Sequence, residues 1–212
     1  MTVTLSPGLN LVTAEPSSTP LAQLKQTVDF APLVPMQALN TLQQSNGREQ
    51  LAKARTILLG GGFVDPALEA ALQPCNTAVF ASYGMTETLS HIALRRLNGE
   101  NASDWYTPFD SVNIRLSEEG TLIIHAPNVC AEELTTNDIA EIDKEGNFRI
   151  LGRKDNTINS GGVKIQIEQV EELLKTKLHI PFQITATPDK KFGEIVTLLY
   201  NKVENGLSTG DN

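Results

Sequence analysis

The sequence predicts an α/β fold followed by a smaller α+β region, and three features support this prediction. Short apolar runs alternate with helix-like segments up to about residue 97, as in a sheet covered by helices. Two hairpin patterns with glycine-containing turns follow, which indicates an antiparallel β subdomain. An amphipathic helix at residues 167–177 then marks a separate C-terminal region.

The first part of the chain alternates between predicted strands and predicted helices. Apolar runs predict strands at residues 8–14, 30–35, 56–59 and 77–81. Helices are predicted at residues 21–26, 36–44, 49–54 and 67–72. The last of these helices has Asp65 as its N-cap and Pro66 in its first turn, which are favoured residues at those positions.

After about residue 97 the sequence pattern predicts mostly strands. The two hairpins pair residues 112–116 with 121–125 and residues 139–142 with 148–151. After a polar junction at residues 151–155, we predict the helix at 167–177 and strands at 182–186 and 195–200. One helix and two strands are little for an independent core, so this region is expected to lean on the first part or to be incomplete.

The composition is typical of a soluble globular protein and excludes several functional classes. The chain has 212 residues with 17 basic and 25 acidic side chains, so its net charge of −8 argues against nucleic-acid binding through a basic surface. Its apolar runs are shorter than the roughly 20 residues that cross a bilayer. Cys75 and Cys130 lie far apart in sequence, which argues against a disulfide framework or metal site. We therefore predict a cytoplasmic protein that binds no membrane.

The loop at residues 82–88 contains the strongest candidate for a functional site. Gly84 permits a tight turn or a close approach of the backbone to a ligand. Tyr83 offers a flat ring, Thr86 a hydroxyl and Glu87 a carboxylate, which a magnesium-bound nucleotide could use. The alternative is an ordinary strand-to-helix connection in which a threonine caps the helix.

Two further short patches could contact a nucleotide. Gly60, Gly61 and Gly62 follow an apolar strand and would let a planar ligand approach the backbone, although they could equally form a flexible turn. Asp138 is expected at the mouth of a strand, where a carboxylate can accept hydrogen bonds from both hydroxyls of a ribose. Its alternative is a solvent-exposed turn residue.

The segment at residues 152–165 is a third patch. It combines charged and hydrogen-bonding side chains with a glycine pair, and it leads into the amphipathic helix that carries Glu168 and Glu171. The alternative interpretation is an interdomain linker that contains a hairpin.

Taken in order, these motifs resemble the adenylate-forming superfamily, which includes acyl-CoA synthetases, luciferases and adenylation domains. The matching residues are 83–88, 136–138, 152–155 and 160–165, with Glu168. The resemblance extends over nearly the whole chain. Within the superfamily, residues 34–37 and 85–91 are most similar to o-succinylbenzoate–CoA ligases of menaquinone biosynthesis.

The resemblance implies an AMP-forming acid–thiol ligase that uses ATP, Mg²⁺ and coenzyme A. In such enzymes a small-molecule carboxylic acid attacks the α-phosphate of ATP, which gives an acyl-adenylate and pyrophosphate. The thiol of coenzyme A then displaces AMP. Domain closure at a hinge separates the two half-reactions.

The resemblance also implies a role for each motif residue. The implied nucleotide-binding residues are Gly60, Gly61, Gly62, Tyr83, Gly84, Thr86, Asp138 and Arg153. Tyr83 would stack on adenine, opposite the glycine backbone. Thr86 and Glu87 would be the catalytic pair, with Thr86 on the phosphate and Glu87 on Mg²⁺. Asp138 would bind the ribose hydroxyls with help from Arg153.

Other implied roles concern the hinge, coenzyme A and the acid. Asp155 would be the hinge residue. The pantetheine passage would be lined by Ser160, Gly161 and Gly162. Ser90 and His91 would face the acyl pocket, although a helix-start serine and a surface histidine are equally compatible with the sequence.

The resemblance divides the chain into three segments. Residues 1–152 would be the latter part of a large AMP-binding domain, with a β-rich subdomain at about 110–152. Residues 153–202 would be the start of a small C-terminal domain that is incomplete. Residues 203–212 would be a disordered tail.

The chain also departs from the family pattern. Residues 1–20 contain nothing like the family's glycine-rich phosphate loop, and the chain reaches Asn212 before the usual glycine–lysine pair with the catalytic lysine. Asn137 replaces a usual glycine, and Gly120-Thr121 replaces a usual Gly-Glu; both are expected to be tolerated. We therefore expect a fragment truncated at both ends that is poorly active by itself.

Two alternatives remain open at the level of sequence. One is an adenylation domain that loads a carrier protein instead of coenzyme A. The other is a non-catalytic paralogue that binds nucleotide or a partner ligase.

Overall fold

The structure is a computed structural model that describes residues 8–178 and 180–201. It forms two compact units, each made of several chain segments. The first unit comprises the residues up to Asn113 together with His125–Glu133 and Asp143–Phe148. The second comprises Ile114–Ile124, Leu134–Ile142 and the residues from Arg149 onward. The tail predicted at residues 203–212 lies outside the described residues.

The first unit is built on one five-stranded sheet. Its strands, in spatial order, are β1 (Val28–Leu33), β2 (Ala54–Leu59), β3 (Ala78–Gly84), β4 (His91–Arg96) and β5 (Thr107–Pro108). Strands β1, β2 and β3 are parallel, whereas β4 is antiparallel to β3 and β5 is antiparallel to β4. The register places Leu33 opposite Leu59, and Leu59 opposite Ala81.

Three α-helices and one short 3-10 helix connect the parallel strands or precede them. The 3-10 helix is Pro20–Gln23, and the α-helices are α1 (Pro35–Leu42), α2 (Gly47–Leu51) and α3 (Pro66–Leu72). The predicted cap of α3 is confirmed, because the Asp65 carboxylate accepts a hydrogen bond from the Ala67 N–H at 2.8 Å. The fully or nearly buried apolar residues of this unit include Leu33, Ala38, Leu51, Ile57, Leu59, Leu68, Leu72, Val79 and Ala81.

Asn98 is a buried polar link between the strands and the α3 end of the first unit. Only 1% of its surface is exposed. Its Oδ1 accepts a hydrogen bond from the Val79 N–H at 3.0 Å. Its amide nitrogen lies 2.9 to 3.3 Å from three carbonyl oxygens, those of Leu72, Cys75 and Thr77. One side chain therefore satisfies backbone groups that would otherwise be buried without partners.

The second unit contains two four-stranded sheets. The first sheet has the order β6 (Asn113–Leu116), β7 (Thr121–His125), β8 (Leu134–Ile142) and β9 (Phe148–Arg153); the end residues Asn113, His125 and Phe148 belong to the first unit. The second sheet has the order β11 (Val163–Gln166), β10 (Thr157–Ser160), β13 (Gly193–Tyr200) and β12 (Phe182–Asp189). Helix α4 (Ile167–Lys175) follows β11 directly.

The predicted α/β fold class is confirmed, and so are both hairpins and the amphipathic helix. The region after Asp155 has more than the two predicted strands, because residues 157–166 form the additional hairpin of β10 and β11; a hairpin in this segment was part of the alternative interpretation of residues 152–165. This hairpin has a short alternating pattern with polar residues at half of its positions, so its apolar signal is weak. In the part of the chain that the structure describes, no helix has the length and apolarity needed to cross a membrane.

Three predicted elements near the N-terminus are wrong in type or extent. Residues 8–14 form no strand, since Leu9 and Leu11 are exposed and no described strand pairs with them. The helix predicted at 21–26 is only the four-residue 3-10 turn at Pro20–Gln23. The helix predicted at 49–54 ends at Leu51, because Ala54 already pairs with Val28 in the sheet.

We expect Asn98→Ala to destabilise the chain by about 3 kcal/mol, because it leaves buried backbone groups without partners. Asn98→Asp should cost at least as much, since a carboxylate cannot donate to the three carbonyl oxygens. Urea denaturation measures both effects. Exposed Asn101→Ala is the control and should change stability by less than about 0.5 kcal/mol. A variant of Asn98 as stable as the wild type would contradict the linking role.

Asp143, in the turn between β8 and β9, should make the folding stability depend on pH. Burial alone would raise the pKa of Asp143, but the hydrogen bonds that it accepts from the Asn147 side chain and from nearby backbone N–H groups lower this pKa overall. The ionised form is therefore favoured in the folded state. Its stabilising effect is complete above the unfolded-state pKa, about 4, and is lost as the pH falls through the lower folded-state pKa.

We therefore expect wild type to be more stable than Asp143→Asn at neutral pH, with the difference shrinking as the pH falls below about 4. Urea denaturation at pH 7 and at a series of acidic pH values measures this difference. Asp104→Asn is the matched control, since no described residue donates a hydrogen bond to the exposed Asp104 side chain. A difference that stays constant with pH would contradict the assignment.

Candidate functional site

The parallel strands of the first unit end at one edge of its sheet. Because β1, β2 and β3 run in the same direction, the segments that follow Leu33, Leu59 and Gly84 leave the sheet on the same side. Open α/β sheets bind ligands at this carboxyl edge. The glycines after β2 and the loop after β3 are therefore neighbours at the position where a ligand site is expected.

The three glycines after β2 form an exposed backbone segment at this edge. Gly60 donates a backbone hydrogen bond to Leu33 O at 3.0 Å, which ties the segment to the end of β1. A Cβ at Gly60 would lie 2.9 Å from Ser82 Oγ, so a larger residue would press against β3. Gly61 and Gly62 are exposed. Their backbone therefore faces solvent at the carboxyl edge of the sheet.

The loop after β3 folds as a short 3-10 turn, Thr86–Thr88, and leads into β4. The predicted alternative of a strand-to-helix connection is therefore wrong, because β3 and β4 form an antiparallel hairpin. Thr86 and Glu87 are exposed at the tip, whereas Thr88 is fully buried.

Gly84 is required by the close approach of two backbone segments. A Cβ at this position would lie 2.6 Å from His91 Cα and would also overlap Ser90 O. The register of β3 and β4 shifts between Tyr83 and Gly84, next to this close approach of the two strands. Gly84 therefore has a packing reason for being glycine that is independent of any ligand.

Tyr83 lies in a cluster of three aromatic rings within the first unit. Its ring meets the Phe148 ring edge to face, with centroids 5.1 Å apart, and the Tyr106 ring at 5.8 Å. Tyr106 and Phe148 are stacked on each other at 5.5 Å. These contacts fix the orientation of the Tyr83 ring, which remains partly exposed.

Ser90 and His91 connect the loop to β4. The helix-start alternative for Ser90 is wrong, because the next residue, His91, begins a strand. Ser90 Oγ lies 3.1 Å from His91 Nδ1, and the His91 ring packs edge to face on Phe109 at 5.5 Å. Both predicted acyl-pocket residues thus lie beside the loop, with the imidazole held by an aromatic neighbour.

In the second unit, Asp138 lies inside β8 rather than at the mouth of a strand. The prediction placed the strand start at residue 139, but β8 begins at Leu134 and carries Asp138 within its paired region. The solvent-exposed alternative is also wrong, since Asp138 is 9% exposed. The polar run Thr135-Thr136-Asn137 concealed the strand, because threonine and asparagine give no apolar alternation.

Arg153 connects two of the predicted carboxylates in this unit. Its guanidinium donates to Asp138 Oδ1 at 3.1 Å and to Asp155 Oδ2 at 3.0 Å. Asn137 Nδ2 also donates to Asp155 Oδ2, at 3.3 Å. Asp138, Arg153 and Asp155 are therefore brought together as one hydrogen-bonded group, and the departure from glycine at Asn137 adds a contact to the predicted hinge residue.

Lys154 and Asn156, on either side of Asp155, also pair with carboxylates. Lys154 Nζ donates to Glu119 Oε2 at 2.6 Å, and this hydrogen bond, together with the lysine charge, lowers the pKa of Glu119. Asn156 Nδ2 donates to Glu168 Oε1 at 2.6 Å, which ties the segment to the first turn of α4.

Ser160, Gly161 and Gly162 form the end and turn of the β10–β11 hairpin. Both glycines have positive φ, 59° and 87°, as the central pair of a type I′ hairpin turn requires. The Gly161 N–H donates to Phe192 O at 2.8 Å. The glycine pair therefore has a structural role in the hairpin, alongside the role that the resemblance implies.

The residues at the loop tip fit a nucleotide-bound magnesium ion. Magnesium sites of this kind use one or two carboxylates together with substrate phosphates rather than a cage of protein ligands. Among the described residues, no group of three or more His, Cys, Asp or Glu side chains could hold a metal by itself. Glu87 is exposed and forms no hydrogen bond with the described part of the chain, so its carboxylate is accessible to such an ion.

A cavity of the first unit involves other residues. It has a volume of about 340 Å³, and its lining includes Phe80, Leu94, Arg96, Trp105, Asp143 and Asn147. None of the predicted site residues lines it. The candidate residues of the first unit therefore lie on an open edge of the sheet.

Within each unit the structure groups the predicted residues, and it adds some that the sequence did not reveal. Residues 60–62, 83–87 and 90–91 belong to the first unit, and Asp138, Arg153, Asp155 and residues 160–162 belong to the second. The residues missed are Thr88, which is buried in the loop, and Tyr106 and Phe148, which contact Tyr83. Tyr106 and Phe148 could not be found from the sequence, because contacts between distant residues leave no local signal. Thr88 could have been found, because it lies within the motif.

Comparisons with known proteins find similarity to AMP-forming ligases. It is 32% identical over 191 residues to a 2-succinylbenzoate–CoA ligase of Staphylococcus aureus, which covers 79% of this chain and 38% of that protein. No model of a known protein family matches it.

Solved structures show the same similarity to acyl-CoA synthetases. An AMP-forming acyl-CoA synthetase/AMP-acid ligase II-like protein from Dyadobacter fermentans is 36% identical, with a TM-score of 0.63, and the match covers 91% of this chain and 57% of that one. An o-succinylbenzoate CoA synthetase from Bacillus subtilis, solved with the acyl-adenylate intermediate OSB-AMP, is 25% identical with a TM-score of 0.65; here the match covers 83% and 42%.

The resemblance to the adenylate-forming superfamily, and within it to o-succinylbenzoate–CoA ligases, is therefore confirmed. The chain spans between 34 and 40% of the length of the curated relatives that it matches.

We expect Gly84→Ala to destabilise the first unit by about 2 kcal/mol, because the added methyl group overlaps the backbone of the loop. Gly62→Ala is the matched control at the same edge, since its Cβ would lie 3.8 Å from Pro35 and in ordinary contact. It should change stability by less than about 0.5 kcal/mol. Thermal unfolding measures both, and equal effects of the two substitutions would contradict the close approach at Gly84.

Proposed function

Because the chain is similar over most of its length to AMP-forming acyl-CoA synthetases, we propose that it supplies nucleotide-binding residues of an ATP-dependent acid–CoA ligase. The reaction joins a carboxylic acid to AMP with release of pyrophosphate, and then transfers the acyl group to the thiol of coenzyme A. One observation carries the proposal most strongly. The exposed glycines after β2 and the Thr86–Glu87 tip after β3 share one carboxyl edge of a parallel sheet.

In the first unit, each residue has a distinct proposed role. The backbone of residues 60–62, which is half-buried at Gly60 and exposed at Gly61 and Gly62, admits the planar adenine, and the Tyr83 ring, held by its aromatic neighbours, stacks on it. The Thr86 hydroxyl donates to a phosphate oxygen, and the Glu87 carboxylate binds magnesium together with the phosphates. Magnesium neutralises charge that develops on the phosphates during nucleotidyl transfer. Gly84 supports Thr86 and Glu87 by letting the loop backbone fold close to β4.

In the second unit, we propose that Asp138 accepts hydrogen bonds from the ribose hydroxyls. Its carboxylate is held by Arg153, and a fixed, nearly buried acceptor loses little entropy on binding. Asp155 would serve as the hinge residue, and residues 160–162 would line the pantetheine passage. The proposed boundary between the large and small domains lies at residues 152–153.

The acid is proposed to be o-succinylbenzoate, and the pathway menaquinone biosynthesis. Support comes from the S. aureus and B. subtilis proteins, whose names specify this acid. Ser90 and His91, next to the nucleotide loop, would then contact the acid. The cytoplasmic location predicted from the sequence is part of the same proposal.

We expect Glu87→Gln to weaken binding of Mg-ATP by about tenfold, because an amide is a poorer magnesium ligand than a carboxylate. Binding of AMP without magnesium should change by less than about twofold. Calorimetry or ligand-observed NMR on the 212-residue chain measures both affinities. The control is Glu100→Gln, an exposed carboxylate in the turn after β4, which should leave both unchanged.

Two outcomes would count against the proposal. If wild type binds neither AMP nor Mg-ATP at millimolar concentration, the nucleotide-binding role fails. If Glu87→Gln weakens AMP and Mg-ATP binding equally, Glu87 has a structural role and does not bind the metal.

A further inference from the structure

We propose that Thr88, buried beneath the loop tip, is the positioning residue that orients Thr86 and Glu87 toward nucleotide and metal. The inference rests on the proposed function, because it concerns how the same loop binds Mg-ATP. Thr88 touches neither ligand in this proposal. It acts through the backbone of the loop.

The Thr88 hydroxyl makes an unusually complete set of contacts for so short a loop. The residue is 0% exposed. Its Oγ1 accepts a hydrogen bond from the Met85 N–H at 3.0 Å, and it lies 2.7 Å from Ser90 O and 3.0 Å from Met85 O. The single hydroxyl proton can therefore be donated to the carbonyl of either residue. One side chain thus joins Met85 and Ser90, the first and last residues of the connection between β3 and β4.

The backbone around Thr88 requires such a restraint. Leu89 adopts a left-handed conformation with φ of 59°, which is unfavourable for a residue with a Cβ. Its side chain is 80% exposed, so side-chain packing does little to hold this conformation. The Ser90 N–H donates to Thr88 O at 2.6 Å, and the Leu89 N–H donates to Thr86 O at 3.0 Å. Hydrogen bonds centred on Thr88 therefore stabilise a strained turn.

The two ligand-binding residues depend on this backbone for their orientation. Thr86 and Glu87 are exposed, and within the described ranges their side chains form no hydrogen bond with the protein. Their positions are consequently set by the course of the backbone alone. When the hydroxyl of Thr88 is removed, the Met85 N–H and the Ser90 carbonyl lose a partner, and the loop gains alternative conformations.

The test compares Thr88→Val, which keeps the shape but removes the hydroxyl, with Thr88→Ser, which keeps the hydroxyl. The first readout is hydrogen exchange at the amides of residues 85–90, which needs no nucleotide. We expect about tenfold faster exchange of the Met85 amide in Thr88→Val, and about wild-type exchange in Thr88→Ser. Unchanged exchange in Thr88→Val would overturn the proposal.

The second readout is the gain in ATP affinity on adding magnesium, measured against ATP with chelator and against AMP. Thr88→Val should lose most of this gain, about tenfold, while its AMP affinity stays within about twofold of wild type. Thr88→Ser should retain the gain. Equal weakening of AMP and Mg-ATP binding would indicate general loss of structure and would overturn the positioning role, as would an undiminished magnesium gain in Thr88→Val.

The same measurements separate this inference from the proposed function. If wild type shows no gain in ATP affinity with magnesium, the proposed magnesium site is wrong, and with it the claim that Thr88 orients residues toward it. If wild type shows the gain and Glu87→Gln removes it, but Thr88→Val does not, the proposed function stands and only the role of Thr88 fails.

Discussion

The candidate site of the first unit depends on the parallel alignment of β1, β2 and β3. Because parallel strands run in the same direction, their carboxyl ends share one edge, and each crossover connection returns the chain to the opposite edge. Residues that are far apart in sequence, such as Gly60 and Ser82, are neighbours there: a Cβ at Gly60 would lie 2.9 Å from Ser82 Oγ. The buried core of Ile57, Leu59 and Val79 holds this alignment. The positions of the candidate site residues at the edge therefore depend on apolar packing within the sheet.

At that edge, backbone proximity limits the choice of residues more than the proposed ligand does. Gly84 is glycine because the backbone of β4 leaves no room for a Cβ, and Thr88 is buried because two backbone groups need its hydroxyl. The side chains of the ligand-directed residues Thr86 and Glu87 are exposed and form no hydrogen bond with the described residues. The loop thus divides its residues between those that shape the turn and those available for binding.

The sequence predicted most of the fold where the apolar periodicity was strong, as in β2, β3, α3 and α4. It failed where polar residues occupy a strand, because Thr135, Asn137 and Asp138 show no apolar alternation although all three lie in β8. It also failed at residues 8–14, where alternation is present but no described strand provides a partner. The motif residues were recognisable because they are local. The ring contacts of Tyr83 and the hydrogen bond between Asn137 and Asp155 depend on tertiary structure, which local patterns do not encode.

Binding of a nucleotide at the carboxyl edge of the first unit is the central claim. It is tested most directly by titrating the ¹⁵N-labelled chain with AMP and following its amide chemical shifts. We expect saturable shifts concentrated at residues 60–62 and 83–88, with small changes at the cavity lined by Arg96 and Trp105. Shifts confined to that cavity, or no shifts at millimolar AMP, would contradict the claim.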